Sequence, residues 1–279
     1  MDQLKDNKFI VQFLKIGMLS LITAVFSYII LFFIGNYLSL YFAYDFDIGA
    51  WFGINGIEFD HKKHHELWTY DAEVTIFLGR PLLSLLIGIV SLSTLILIRR
   101  LKIIFFLLLL WMNLFAFNEA FGFFITDFIL SSGLYYVAAR MELGIEAMLF
   151  FLAIAVFIMY RLGSLNAMLF VQYLPNKYKT GHYQKLVAVF ISMIIPWLFT
   201  LLILMIISYP FQLQSVHLKL LSAIVLLLPF LYSQENKSRE WRGKLLKINY
   251  IDWLFAAILL MVTLFLYISM LSPISIQAY

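Results

Sequence analysis

The stretch IIFFLLLLWMNLFAFNEAFGFFITDFIL, residues 103–130, decides how this chain is read. It exceeds the roughly 20 apolar residues that a bilayer crossing takes. Yet it carries Asn113, Asn118, Glu119 and Asp127. A carboxylate at that depth is costly unless it faces protein or water. Wound as a helix, the stretch puts Ala116, Glu119, Gly122 and Thr126 on one small, polar face. Such a face lets a second helix approach closely. Asn113 and Asp127 fall to one side of it and Asn118 to the other. The segment is expected to be the polar spine of a membrane helix bundle.

The remainder of the chain asks for the same solvent. Apolar residues make up 63% of the 279 and charged residues 13%, whereas soluble domains sit near half and a quarter. Apolar runs leave no room for a soluble domain, so residues 1–279 read as a single transmembrane helical domain. The absence of Cys excludes disulfides and thiolate metal sites. The net charge of +4 is spread in short basic clusters beside apolar runs. That is a membrane-orientation pattern, and no nucleic-acid partner is expected. The first apolar run is too long for the core of a cleavable signal peptide.

The expected fold is all-α: a polytopic transmembrane bundle of about seven spans, near 9–42, 74–98, 102–130, 143–160, 186–207, 216–232 and 251–271. Six or eight spans satisfy the same pattern, because 134–175 is ambiguous and 162–174 reads as interfacial or re-entrant. With the N-terminus in the cytoplasm, 15 of the 20 Lys and Arg fall on that side, which places the C-terminus outside. Residues 43–73 then form an extracytoplasmic loop, with a short hairpin around Gly53-Ile54-Asn55-Gly56 and with Trp51, Trp68 and Tyr70 suited to the interface belt. Pro81 either kinks the second span or marks its start, and Pro196 kinks the fifth. Ser84, Gly88 and Ser91 supply a second small packing face.

Three groups of residues are candidates for chemistry. In Asp60-His61-Lys62-Lys63-His64-His65-Glu66, a helix would let His61 and His65 share a metal with a carboxylate. His61, His64, His65 and Glu66 are therefore the candidate metal ligands, but the two lysines favour a solvated loop face, and no cofactor is expected. His65-Glu66 begins an HExxH pattern that Thr69 leaves incomplete. Glu119, with Asn118 and Asp127, is either a proton or cation site or a carboxylate that fixes helix packing. Pairing of Glu119 with Arg80 or Arg140 is disfavoured, since both arginines read as lying near the outer face. Glu142 and Glu146 read as the wet start of a helix, where the dipole favours acids.

The segments Gly79-Arg80-Pro81-Leu82-Leu83-Ser84-Leu85-Leu86-Ile87-Gly88, Trp111-Met112-Asn113 and Asn118-Glu119-Ala120-Phe121-Gly122 resemble those of divergent integral membrane proteins of the site-2 protease type. That family cleaves substrates within the membrane with zinc held by HExxH and a distant Asp. This chain lacks HExxH, and Arg80 interrupts the opening motif. The resemblance therefore implies a non-proteolytic relative and transfers no catalytic residue.

The function expected is that of a non-enzymatic protein of a bacterial inner membrane. It would be a subunit or scaffold of a larger assembly, with the lipid bilayer and other membrane subunits as partners. The alternatives are a small transporter or channel using Glu119, and a membrane metalloenzyme of the site-2 protease type.

Overall fold

In the computed structural model the described residues are 2–60, 65–98, 101–174, 182–207, 218–232 and 248–276. Among the described residues six helices are long and apolar enough to cross a membrane: α1 (Asp2–Asp45), α2 (Tyr70–Leu97), α3 (Ile103–Leu130), α5 (Ile145–Tyr173), α6 (Tyr183–Ile207) and α8 (Tyr250–Leu271). Two shorter helices are α4 (Leu134–Arg140) and α7 (Lys219–Tyr232). The chain is an all-α helical bundle and a multi-pass integral membrane protein.

Packing grades the helices. α1 and α3 form the centre: Phe13, Leu19, Phe32, Phe106, Leu110 and Trp111 are all buried. α5 and α8 present mostly exposed apolar residues such as Phe150, Phe157, Met261 and Phe265. In a bilayer those side chains meet lipid tails, so their exposure carries no hydrophobic penalty.

A small sheet of order β2-β1-β3 closes one end. β1 (Ala50–Gly53) and β2 (Gly56–Phe59) form a hairpin, and β3 (Ile274–Ile276) pairs antiparallel with β1. Gly56 lies at φ +104 in the turn, a conformation that favours glycine. Trp51 donates to Glu58 across the hairpin at 3.0 Å.

This pairing constrains the topology. β1 follows α1 and β3 follows α8, yet both lie on one side. Between them run five long helices, and five crossings would deliver β3 to the wrong side. Among the described residues, the segment that supplies a sixth crossing is α7. It starts at Lys219 beside Asp127 and ends with Phe230 against Phe170, ring centroids 5.9 Å apart. Its length is roughly 20 Å at 1.5 Å per residue, short of the hydrocarbon core of roughly 30 Å. The described helix thus begins below the surface on the sheet side. Over the described residues this makes six long crossings and the shorter α7, with both the 43–73 loop and β3 on one face.

Several local expectations are corrected. Arg161 does not end its span: α5 continues through Leu162 to Tyr173, so the interfacial or re-entrant reading of 162–174 fails. Gly163 lies within it, where the backbone of Leu226 on α7 comes too close for any Cβ. Pro81 lies inside α2 and not at its start. Trp68 is buried, packed edge-on to Phe59 and stacked on Phe77, centroids 5.4 and 6.3 Å away. It belongs to the core under the sheet and not to an interface belt.

α6 contains a π turn, Phe190–Ile194, just before Pro196. Pro196 has no N–H to offer the Ser192 carbonyl one turn back. Ser20 of α1 donates to that carbonyl at 2.5 Å, and Trp111 of α3 donates to Ser20 Oγ at 2.8 Å. A proline defect in one helix is thereby repaired by two others.

Candidate functional site: a charged core beneath the sheet

A second π turn, Asn118–Gly122, interrupts α3 at its most polar point. Such turns insert one extra residue and rotate the rest of the helix, and they recur at functional sites. Here the turn aims Glu119 at α2 and Asn118 at α7.

Glu119 is held on both oxygens. Arg80 Nη2 donates to Oε1 at 2.6 Å and Ser84 Oγ donates to Oε2 at 2.5 Å. Arg80 Nη1 donates to Asn36 Oδ1 of α1 at 3.1 Å, and Asn36 Nδ2 donates to the Phe32 carbonyl at 2.7 Å. Arg80 is 9% exposed and Glu119 2%. A Cβ on Gly35 would stand 2.8 Å from Arg80 Cγ and 2.9 Å from Nε, so the guanidinium depends on glycine there.

The expectation that Glu119 does not pair with Arg80 is therefore overturned. Because α2 begins at Tyr70, Arg80 lies roughly 15 Å below the sheet-side end. Glu119 lies roughly 17 Å below the same end of α3. The two are at one depth. A span taken to begin near residue 74 makes Arg80 look shallower than it is. Arg140 instead makes a two-pronged bridge to Glu73, at 2.8 and 2.9 Å. That bond to Glu73 raises the Arg140 pKa from its ordinary value.

Asp127 forms a second centre about two turns nearer the sheet. Lys219 Nζ lies 2.5 Å from Oδ1. Ser132 Oγ donates to Oδ1 at 3.1 Å and the Leu134 amide to Oδ2 at 2.9 Å. Gly133, at φ +51, brings that turn against the carboxylate. The Phe123 ring serves both cations, 5.0 Å from Arg80 Cζ and 4.9 Å from Lys219 Nζ; such contacts strengthen where water is excluded.

Asn118 faces α7. Its Nδ2 donates to the Lys219 carbonyl at 3.1 Å, and Ser222 Oγ donates to its Oδ1 at 2.8 Å. Gly122 admits this contact, since a Cβ would stand 2.5 Å from both Asn118 Oδ1 and Ser222 Oγ. Asn113 donates to the Gly88 carbonyl of α2 at 2.8 Å, and a Cβ on Gly88 would stand 3.0 Å from the Phe117 ring. Ala116, Ser84 and Ser91 are buried. The structure thus separates Asn118 and Asp127 from Glu119: each has its own partner.

A cavity of about 220 Å³ lies over these groups. Arg80, Asn36, Ser39, Asp127 and Lys219 line it, with Ile57 and Phe59 of the hairpin above. A second cavity of about 360 Å³ opens beside it between α2, α3, α4 and α5. Its wall is apolar, and it shares Pro81 and Leu134 with the first.

Arg80, Lys219, Asn36 and Ser222 do not stand out as site residues in the sequence. The available signal is a basic residue inside an apolar run, in LGRPLL and in HLKLLSAIVLLLPF. Glu142 and Glu146 are both exposed. His61, Lys62, Lys63 and His64 lie outside the described residues, as do Arg99, Arg100, Lys177, Lys179 and the loop 234–247. For His65 the backbone alone is described, and Glu66 is exposed. Among the described residues no three His, Asp or Glu gather in a metal-holding group. Comparison of the chain with protein-family models, with curated proteins and with solved structures finds no match.

Proposed function

We propose that the chain is a non-enzymatic subunit or scaffold of a larger membrane assembly, in the inner membrane of a bacterium. The observation that carries this reading is the engagement of Glu119 on both oxygens by Arg80 and Ser84. A carboxylate that ferries a proton or cation must be released during its cycle. One bonded to a buried guanidinium and a buried hydroxyl serves better as a clamp between helices. Asp127, bonded to Lys219, Ser132 and the Leu134 amide, has the same character. These clamps hold the bundle beneath a sheet whose strands come from both ends of the chain, and a sheet so fastened is a fixed platform for a partner. Native-gel migration after mild solubilisation from the source membrane tests the reading. Co-migration with other membrane proteins is expected, and a stable lone monomer overturns it.

One observation favours a second reading, a small transporter or channel: the cavity of about 220 Å³ stands directly over Arg80 and Lys219. In that case Glu119→Gln abolishes a pH-dependent flux in liposomes while the protein still folds. A flux unchanged by the substitution removes this reading.

A further inference from the structure

We propose that the two adjoining cavities form one site for a membrane amphiphile, with a phosphate-bearing head over Arg80 and Lys219 and a hydrocarbon tail in the groove beyond Leu134.

The head chemistry is set by which hydrogen-bonding groups are spent. A guanidinium carries five N–H donors and an ammonium three. Arg80 uses two, toward Asn36 and Glu119, which leaves a second N–H on each terminal nitrogen; its Nε is packed against Gly35 and is not counted. Lys219 uses one, toward Asp127. The acceptors nearby are already engaged. Asn36 Oδ1 takes Arg80, and both Asp127 oxygens take donors. The lining hydroxyls are turned away as well: Ser39 donates to the Ile76 carbonyl at 3.2 Å and Ser132 to Asp127. The cavity is therefore rich in uncommitted donors on two cations. It suits a group that only accepts, and a phosphate ester oxygen is such a group.

The tail chemistry is set by the neighbouring cavity. Its walls include Leu82, Phe121, Val137, Phe151 and Ile154, and it lies within the membrane-spanning helices. The polar cavity alone falls short of the roughly 300–1,000 Å³ typical of small-molecule sites, whereas the two together fall within that range. Pro81 and Leu134 line both. A ligand that bridges them must be polar at one end and apolar at the other, which selects a phospholipid over free phosphate.

The test uses the whole protein in nanodiscs of digalactosyldiacylglycerol, a bilayer lipid without phosphate, carrying phosphatidylglycerol as the minor lipid, followed by native mass spectrometry. The expected result is one retained phosphatidylglycerol per chain, enriched over digalactosyldiacylglycerol by about tenfold, close to 1.4 kcal/mol of preference. Ala138→Trp fills the tail groove without touching either cation, and it should abolish retention in protein that still elutes as a single species. Inorganic phosphate in excess should not displace the lipid. Equal retention of the two lipids overturns the proposal. So does retention unchanged in folded Ala138→Trp, or full displacement by inorganic phosphate alone. The head-group comparison needs no variant, so it decides even if Ala138→Trp fails to fold.

Discussion

Arg80 Nη2 of α2 and Glu119 Oε1 of α3 lie 2.6 Å apart at a shared depth in the bundle, and both residues are buried. Two charges in such a place depend on each other. Removing one strands the other, while removing both can be nearly neutral.

Arg80→Met should therefore cost about 3–5 kcal/mol, the usual penalty for leaving one partner of a buried pair. The double variant Arg80→Met/Glu119→Leu should recover most of it. Thermal unfolding in a mild detergent measures both. A double variant as unstable as the single one would show that the two residues are not coupled.

Ser20 and Pro196 should also be coupled, although they do not bond to each other. Ser20 donates to the Ser192 carbonyl, which has lost its helical partner to the proline. Ser20→Ala should cost about 0.5–1.5 kcal/mol in the parent. In a Pro196→Ala background, where a backbone N–H is restored, the same change should cost less. Equal costs in the two backgrounds would count against the repair.

Gly163 marks the closest approach of α5 to α7, against the backbone of Leu226. Backbone cannot swing aside as a side chain can. Gly163→Ala should destabilise by about 1–3 kcal/mol, as overpacking does. Gly144, with nothing within 4 Å of a Cβ, is the control and should tolerate alanine better. The reverse ranking would mean that α5 and α7 are not packed this way.

The topology can be read by labelling, because the chain has no Cys. Trp51 pairs with Ser275 across β1 and β3. Single cysteines at Asn55 and Ser275 should react with an impermeant maleimide from the same side of the membrane, and a cysteine at Lys102 from the other. Labelling of Asn55 and Ser275 from opposite faces would remove the seventh crossing.

The helical, membrane-embedded class was legible because hydropathy acts residue by residue. A run such as 103–130 is apolar whatever its neighbours are. Helical periodicity alone puts Ser84 with Gly88 on α2, but the face it draws on α3 is broken by the π turn, which leaves Glu119 toward α2 and Gly122 against Ser222 of α7. The hairpin at Gly53–Gly56 was legible from local turn chemistry.

The partnerships were not legible, because each depends on helix start points and axial offsets that no single segment encodes. Starting α2 at Tyr70 and not near residue 74, with Pro81 inside it, lowers Arg80 by about one turn and brings it level with Glu119. The π turn at Asn118–Gly122 rotates Asn118 toward Ser222 and leaves Asp127 to Lys219. β3 finds β1 across more than two hundred residues of chain. Local composition thus determined that the chain enters a bilayer with acids inside it. Which base stands opposite each acid was decided by the three-dimensional packing of helices, where a shift of one turn exchanges one partner for another.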